Sequence, residues 1–230
     1  FFLLFVVRCV LEHLKNNAMT ATHAAKSTRR HLERSSKEQI KLLPPFDALP
    51  RQRIHVLRTP AEYAEALAQL RHEPFIGFDT ESKPCFTRDA PRTGPHVLQF
   101  ATREQAFIVQ LHNDPPLAFL REVLESSAMV KVGFGLKSDR GPLQHKLGLK
   151  LGASIDLATG MRKLGYKQAV GVRTAVAIAL GRRLHKSKSA TTSNWAAINL
   201  SDGQVQYAGE DAFAALAVFY ALGMGDKPVS

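Results

Sequence analysis

The chain is predicted to fold as an α/β domain, a mixed β-sheet flanked by α-helices on both faces. Three observations predict it. Short β-prone runs cluster between Ile54 and Leu157, helical segments are interleaved among them, and helices alone fill the rest of the chain. The 230 residues suit one domain plus a tail, and 45% hydrophobic content is enough for a buried core.

IHVL (54–57) is a short strand. Thr59-Pro60-Ala61-Glu62 is a capping box with Pro at the first helical position, which opens a helix to about Arg71. FIGFD (75–79), HVLQFA (96–101) and AFIVQL (106–111) are separated by Pro, Gly and charged residues and read as neighbouring strands. A helix from Pro115 to about Ser126 precedes the strand KVGFG (131–135), which runs into a helix from about Ser138 to Lys146. ASIDL (153–157) is a further strand or strand end. Beyond it the chain is helical over 158–164, 170–180 and 201–222, the last helix opening with the capping box Ser201-Asp202-Gly203-Gln204. The domain is expected over 52–230. Residues 19–51 read as a basic tail and Pro-rich linker, and 1–18 as a mis-called or non-native extension ahead of Met19.

Composition narrows the partner. Lys and Arg outnumber Asp and Glu by 31 to 20, and the resulting +11 favours a polyanion. The opening FFLLFVV is far short of the roughly 20 apolar residues that span a bilayer, and no basic stretch precedes it as a secretory signal needs. No membrane role is expected. Two cysteines, Cys9 and Cys85, make no disulfide framework and no zinc spacing, which fits a reducing compartment such as the bacterial cytoplasm. Without a histidine pair or a Cys/His cluster, a bound metal would take oxygen ligands, as Mg²⁺ or Mn²⁺ does.

Four acids are the candidate ligands. Asp79 and Glu81 lie two apart at a strand end, so with strand geometry their side chains project to one side about 7 Å apart. Asp139 opens the helix after KVGFG, where a plain cap explains it equally well. Between Val130 and Ser201, however, thirteen Lys or Arg stand against two acids, Asp139 and Asp156, and that difference equals the whole net charge of +11. The stretch reads as a phosphate-attracting face in which a lone acid is a better functional candidate. On the last helix Tyr207 and Asp211 are four apart and share a face. Each feature alone has an ordinary explanation as loop start, helix cap, core tyrosine or solvated acid.

In order, FDTE, GFGLKSD and YAGED resemble the three exonuclease motifs of the DEDD superfamily, in the variant with tyrosine in its third motif. The resemblance runs over about 52–224 and is closest to the ribonuclease D and Werner-type branch, with HVLQFAT and KSKSATTSNWAAINLSDGQVQYAGEDAFAAL as supporting text. The histidine variant would need His five residues before the final Asp, where Gln206 stands. The resemblance implies a ribonuclease H-like fold and a 3′-5′ exonuclease acting on DNA or RNA that releases nucleoside 5′-monophosphates. It implies two divalent ions about 3.5–4 Å apart. Asp79 would bridge them, Glu81 and Asp211 would complete the water-activating site, Asp139 would hold the second ion, and Tyr207 would orient the attacking water.

Thr80 and the loop residues Arg182, Arg183, Lys186 and Lys188 are candidate substrate contacts. Trp195 could stack on a base, although a lone Trp beside two alanines is more often core. Two enzymatic rivals fail at position 81: an aspartic protease needs a small residue there, and a haloacid dehalogenase needs Asp. The remaining rival is a nucleic-acid-binding module whose exonuclease site is idle.

Overall fold

A computed structural model describes residues 35–85, 93–112, 114–185 and 188–225. Residues 1–18, most of the basic tail and Lys186 lie outside the described residues. Along the chain run α1 (Lys37–Leu42), β1 (Ile54–Leu57), α2 (Pro60–Leu70), β2 (Phe75–Glu81), β3 (Val97–Ala101), β4 (Ala106–Gln110), α3 (Leu117–Glu125) and β5 (Val130–Gly133). They continue with α4 (Leu136–Leu147), β6 (Ser154–Asp156), α5 (Leu157–Lys163), α6 (Val172–Leu180), α7 (Lys188–Thr191) and α8 (Asp202–Ala221). No helix among the described residues is long and apolar enough to cross a membrane.

The six strands form one mixed sheet in the order β1-β4-β3-β2-β5-β6. β2, β3 and β4 pair antiparallel as a meander, while β1 joins β4 and β5 joins β2 in parallel. Helices cover both faces because successive strand residues alternate sides and both sides are apolar. One layer packs Ile76, Phe78, Leu98 and Phe100 against Leu70 of α2, Leu120 and Leu124 of α3 and Leu143 of α4. The opposite side receives α8 along its length: Val97, Ala101 and Ile108 meet Val205, Ala208 and Ala212, and Phe75 and Val132 meet Leu216 and Phe219. The expected mixed sheet with helices on both faces is the fold observed.

Several local expectations change. β2 continues two residues beyond FIGFD, because Thr80 and Glu81 pair with Leu98 and Val97 of β3. Part of the stretch read as tail and linker is attached to the domain. Ser36 and Gln39 form a capping box that opens α1, Pro45 bridges to Arg183, Leu49 is buried, and Phe46 lies 5.8 Å from Phe213 between ring centroids. The segment read as a basic loop contains α7.

Part of the charge-rich stretch 130–201 serves the fold and not a phosphate-attracting face. Lys131 is fully buried, its Nζ donating to the carbonyls of Ser126 and Met129 at 2.7 Å each. Arg140 donates to Leu151 O at 2.7 Å and Ser154 Oγ at 2.8 Å, and Lys146 to Thr93 O at 3.0 Å. These cations close loops of their own fold, since a buried or half-buried carbonyl needs a donor.

Candidate active site

The site forms where α8 crosses the end of β2, and a glycine sets how closely they approach. A Cβ on Gly77 would lie 2.0 Å from Ala212 O, so only glycine lets the helix backbone come this near the strand. Gly77, Asp79 and Glu81 share one side of β2 by strand alternation, and that side faces α8. The helix is started by the Ser201–Gln204 capping box, which satisfies its first amides and fixes its phase. Asp211, next to Ala212, is thereby carried to the strand's two acids.

Carboxylate oxygens of Asp79, Glu81 and Asp211 all lie within 4.8 Å of one another, Asp211 buried and the other two half-buried. At an effective dielectric of about 20, each pair of negative charges at that distance repels by roughly 3 kcal/mol. A cation held among the three would offset that repulsion. The donor set is carboxylate oxygen alone, which suits a hard divalent ion such as Mg²⁺ or Mn²⁺. Gln99, fully buried and directly opposite Asp79 on β3, has neither amide atom hydrogen-bonded, so the acids' side of the sheet also holds unused polar capacity.

Asp139 stands outside this group of three. Thr80 points to the other side of β2 from Asp79, and its hydroxyl donates to Asp139 Oδ1 at 2.9 Å, while its amide donates to Asp79 Oδ1 at 2.9 Å. Thr80 therefore links the two carboxylates through one residue. Burial raises the Asp139 pKa above the ordinary carboxylate range, the Thr80 hydrogen bond opposes this, and the Asp156 charge adds to it. Asp156 itself caps α5 through the amides of Ala158 and Thr159 at 3.0 and 3.4 Å, and it accepts the Gly135 amide at 3.1 Å. It fixes the β5–α4 turn on which Asp139 depends.

Tyr207, one turn before Asp211, is nearly buried at 7% exposure. Its ring lies 5.8 Å from that of Trp195, and its hydroxyl 3.3 Å from Thr191 Oγ1. Trp195 is fully buried and presents no ring face to a base, so its observed part is packing behind Tyr207. Gln206, in the histidine variant's position, turns away and donates to Leu49 O at 2.9 Å and Glu210 Oε1 at 2.7 Å.

The basic candidates divide. Arg183 donates from Nη1 to Lys41 O at 3.2 Å, and its backbone bonds Pro44 and Phe46. Arg182 lies 3.6 Å from Asp47. Both fasten the segment before β1. Lys188 begins α7. Sequence reasoning missed Thr191 and Gln99. Gln99 carries a readable signal, a polar residue inside an otherwise apolar strand, whereas Thr191 carries none, because its value depends on where Tyr207 falls.

A family model described as 3′-5′ exonuclease matches residues 54–224. The mouse (Mus musculus) bifunctional 3′-5′ exonuclease/ATP-dependent helicase WRN is 30% identical over 156 residues, 66% of this chain and 11% of that protein. Ribonuclease D of Gluconacetobacter diazotrophicus is 28% identical over 158 residues, 68% of this chain and 39% of that one. Among solved structures, the Aedes aegypti Nibbler EXO domain superposes with a TM-score of 0.65 at 23% identity, covering 76% of this chain and 88% of that chain. Escherichia coli RNase D gives 0.65 at 20% identity, covering 75% and 44%. These two share the fold. The chain spans a minority of the mouse protein and 52% of an Arabidopsis thaliana 3′-5′ exonuclease to which it is 27% identical. Since the match runs from the start of β1 past the end of α8, the chain belongs to the 3′-5′ exonuclease domain family.

Proposed function

We propose that the protein removes nucleotides one at a time from the 3′ end of DNA or RNA, as a metal-dependent exonuclease of the tyrosine variant that releases nucleoside 5′-monophosphates. The observation that supports this most is the meeting of three carboxylates from β2 and α8 within 4.8 Å, at the crossing made possible by Gly77. Two divalent ions bound there would supply an activated water and neutralise the leaving oxygen of a phosphodiester. Asp79, Glu81 and Asp211 would hold the first, and Asp79 with Asp139 would hold the second. Thr80 keeps Asp139 oriented towards β2 through its hydroxyl. Tyr207 orients the attacking water by its hydroxyl and need not ionise, since positioning alone accounts for a large rate gain. Lys186 and Lys188 contact the backbone of the nucleic acid, a sequence-independent interaction that suits an enzyme of broad substrate range.

The relatives favour neither polymer. One is named for ribonuclease D, a solved neighbour is a Trypanosoma brucei RNase D in complex with RNA U12, and another relative carries a helicase in the same name. The reading therefore covers both, with roles in DNA repair or RNA processing and a bacterial cytoplasmic setting as its wider expectations. The test is degradation of 5′-labelled DNA and RNA, single- and double-stranded, in Mg²⁺ and in Mn²⁺. A ladder shortening from the 3′ end, lost in Asp79→Ala while binding persists, supports the proposal. Binding without cleavage in either metal supports the idle-site module instead, and cleavage that requires a free 5′ end contradicts both.

A further inference from the structure

α7 and the residues after it form a short shelf against α8. Gln204, one turn before Tyr207, donates from Nε2 to Ser193 Oγ at 3.0 Å and to Asn194 O at 3.3 Å. Gln110 at the end of β4 holds Ala197 O at 3.0 Å, and fully buried Trp195 roots the segment between them. The shelf is thus fixed to the helix and the strand meander. It touches Tyr207 twice, through the Trp195 ring at 5.8 Å and through Thr191 Oγ1 at 3.3 Å from the phenol oxygen.

These two contacts constrain different freedoms. Ring packing restricts the side-chain torsions of Tyr207 and so sets where its oxygen sits. It does not set where the phenol's single proton points, because a hydroxyl hydrogen rotates to suit its partners. A second hydroxyl beside it bears on that direction, either by accepting the phenol proton or by occupying a phenol lone pair as donor. The 3.3 Å separation is longer than the usual upper limit of about 3.0 Å for O–H···O, so the bond is weak here, and catalytic hydrogen bonds commonly tighten only with substrate bound.

We propose that Thr191 is a positioning residue for the exonuclease reaction: its hydroxyl fixes the direction of the Tyr207 hydroxyl and so the orientation of the water that attacks the phosphodiester. The proposal rests on Tyr207 being the residue that orients that water. In this role Thr191 acts through Tyr207, the residue whose hydroxyl it neighbours. α7 begins at Lys188, within the basic run proposed to meet the nucleic-acid backbone, so the same short segment serves substrate contact and tyrosine alignment.

The test compares Thr191→Val, which removes the hydroxyl at constant shape, with Thr191→Ser, which keeps it, each alone and with Tyr207→Phe. Two quantities are read: steady-state kinetics on one 5′-labelled oligonucleotide, and the ¹³Cζ resonance of Tyr207 in metal-free protein. Thr191→Val is expected to move that resonance and to lower kcat about five-fold at unchanged KM, as a weak neutral hydrogen bond allows. Thr191→Ser is expected to restore both, and Thr191→Val is expected to add nothing in the Tyr207→Phe background. An unmoved resonance, an unchanged kcat, or an equal loss of kcat in the Tyr207→Phe background each overturns the inference. Wild-type kcat in Tyr207→Phe alone brings down the underlying reading of Tyr207 instead, so the two failures are distinguishable.

Discussion

Replacing Gly77 by Ala tests how the site is built without touching any acid. The new Cβ would stand 2.0 Å from Ala212 O and 2.8 Å from Ala212 C, against the 3.4 Å at which ordinary contact begins. The shortfall is 3.4 minus 2.0, or 1.4 Å. Both clashing atoms are backbone, so no rotamer change relieves it, and α8 must move away from β2 by about that distance. Asp211 precedes Ala212 and Asp79 follows Gly77 by two, so the displacement falls on the acid triad itself. Overpacking of this kind costs about 1–3 kcal/mol, and the severity here points to the upper part, roughly 4–12 °C in Tm for a domain of this size. A misplacement near 1 Å also costs on the order of 10²-fold in rate. Thermal unfolding and 3′-end degradation of a labelled oligonucleotide measure the two effects. A Gly77→Ala protein with wild-type Tm and wild-type rate would refute the claim that this close approach assembles the site.

Two further predictions concern cations that the fold uses for itself. Burial lowers the Lys131 pKa from 10.5 to about 8. Between those values the unfolded chain binds a proton that the native chain does not, so stability rises with pH there, by up to about 1.4 kcal/mol per unit. Lys131→Met removes that rise, as urea unfolding at about pH 7.5 and about pH 9.5, on either side of the folded-state value, will show. An identical pH slope in the variant would contradict the burial argument. Arg183→Ala, by losing the bond to Lys41 O, lowers stability by about 1 kcal/mol and leaves the salt dependence of nucleic-acid binding unchanged. Lys186→Ala instead flattens the log–log salt slope by about one, and the opposite pattern would exchange the roles assigned to these residues.

Much of the site was readable because its signals are local. The strand carrying Asp79 and Glu81 and the capping box that phases Tyr207 and Asp211 are both written in consecutive residues. The approach of those two elements was not readable, since Gly77 appears in sequence only as one small residue in an apolar strand. Its meaning depends on a helix that begins far along the chain, at Asp202. Asp139 shows the same limit: its place in the opening turn of α4 was legible, but it is not the cap, since Gly135 holds that position without a side-chain bond, and its hydrogen bond to Thr80 depends on β2 and β5 being neighbours. The basic face was overcounted because a count of charges takes no account of burial, and Lys131, Arg140 and Arg183 satisfy carbonyls within the fold. The α1 helix did leave a signal, the Ser36–Gln39 capping box, which the surrounding polar and Pro-rich residues outweighed. Trp195 was correctly suspected of being core, yet its place against Tyr207 could come only from the packing of the 188–195 shelf on α8.

If the acid triad is a cation site, the protein binds Mn²⁺ whether or not it turns over a substrate, and calorimetry on the wild-type and Asp211→Asn proteins measures this directly. Binding by the wild-type protein that is lost or weakened at least about tenfold in Asp211→Asn, with the fold retained by circular dichroism, is the predicted result. Equal Mn²⁺ affinity and stoichiometry in the two proteins would contradict it.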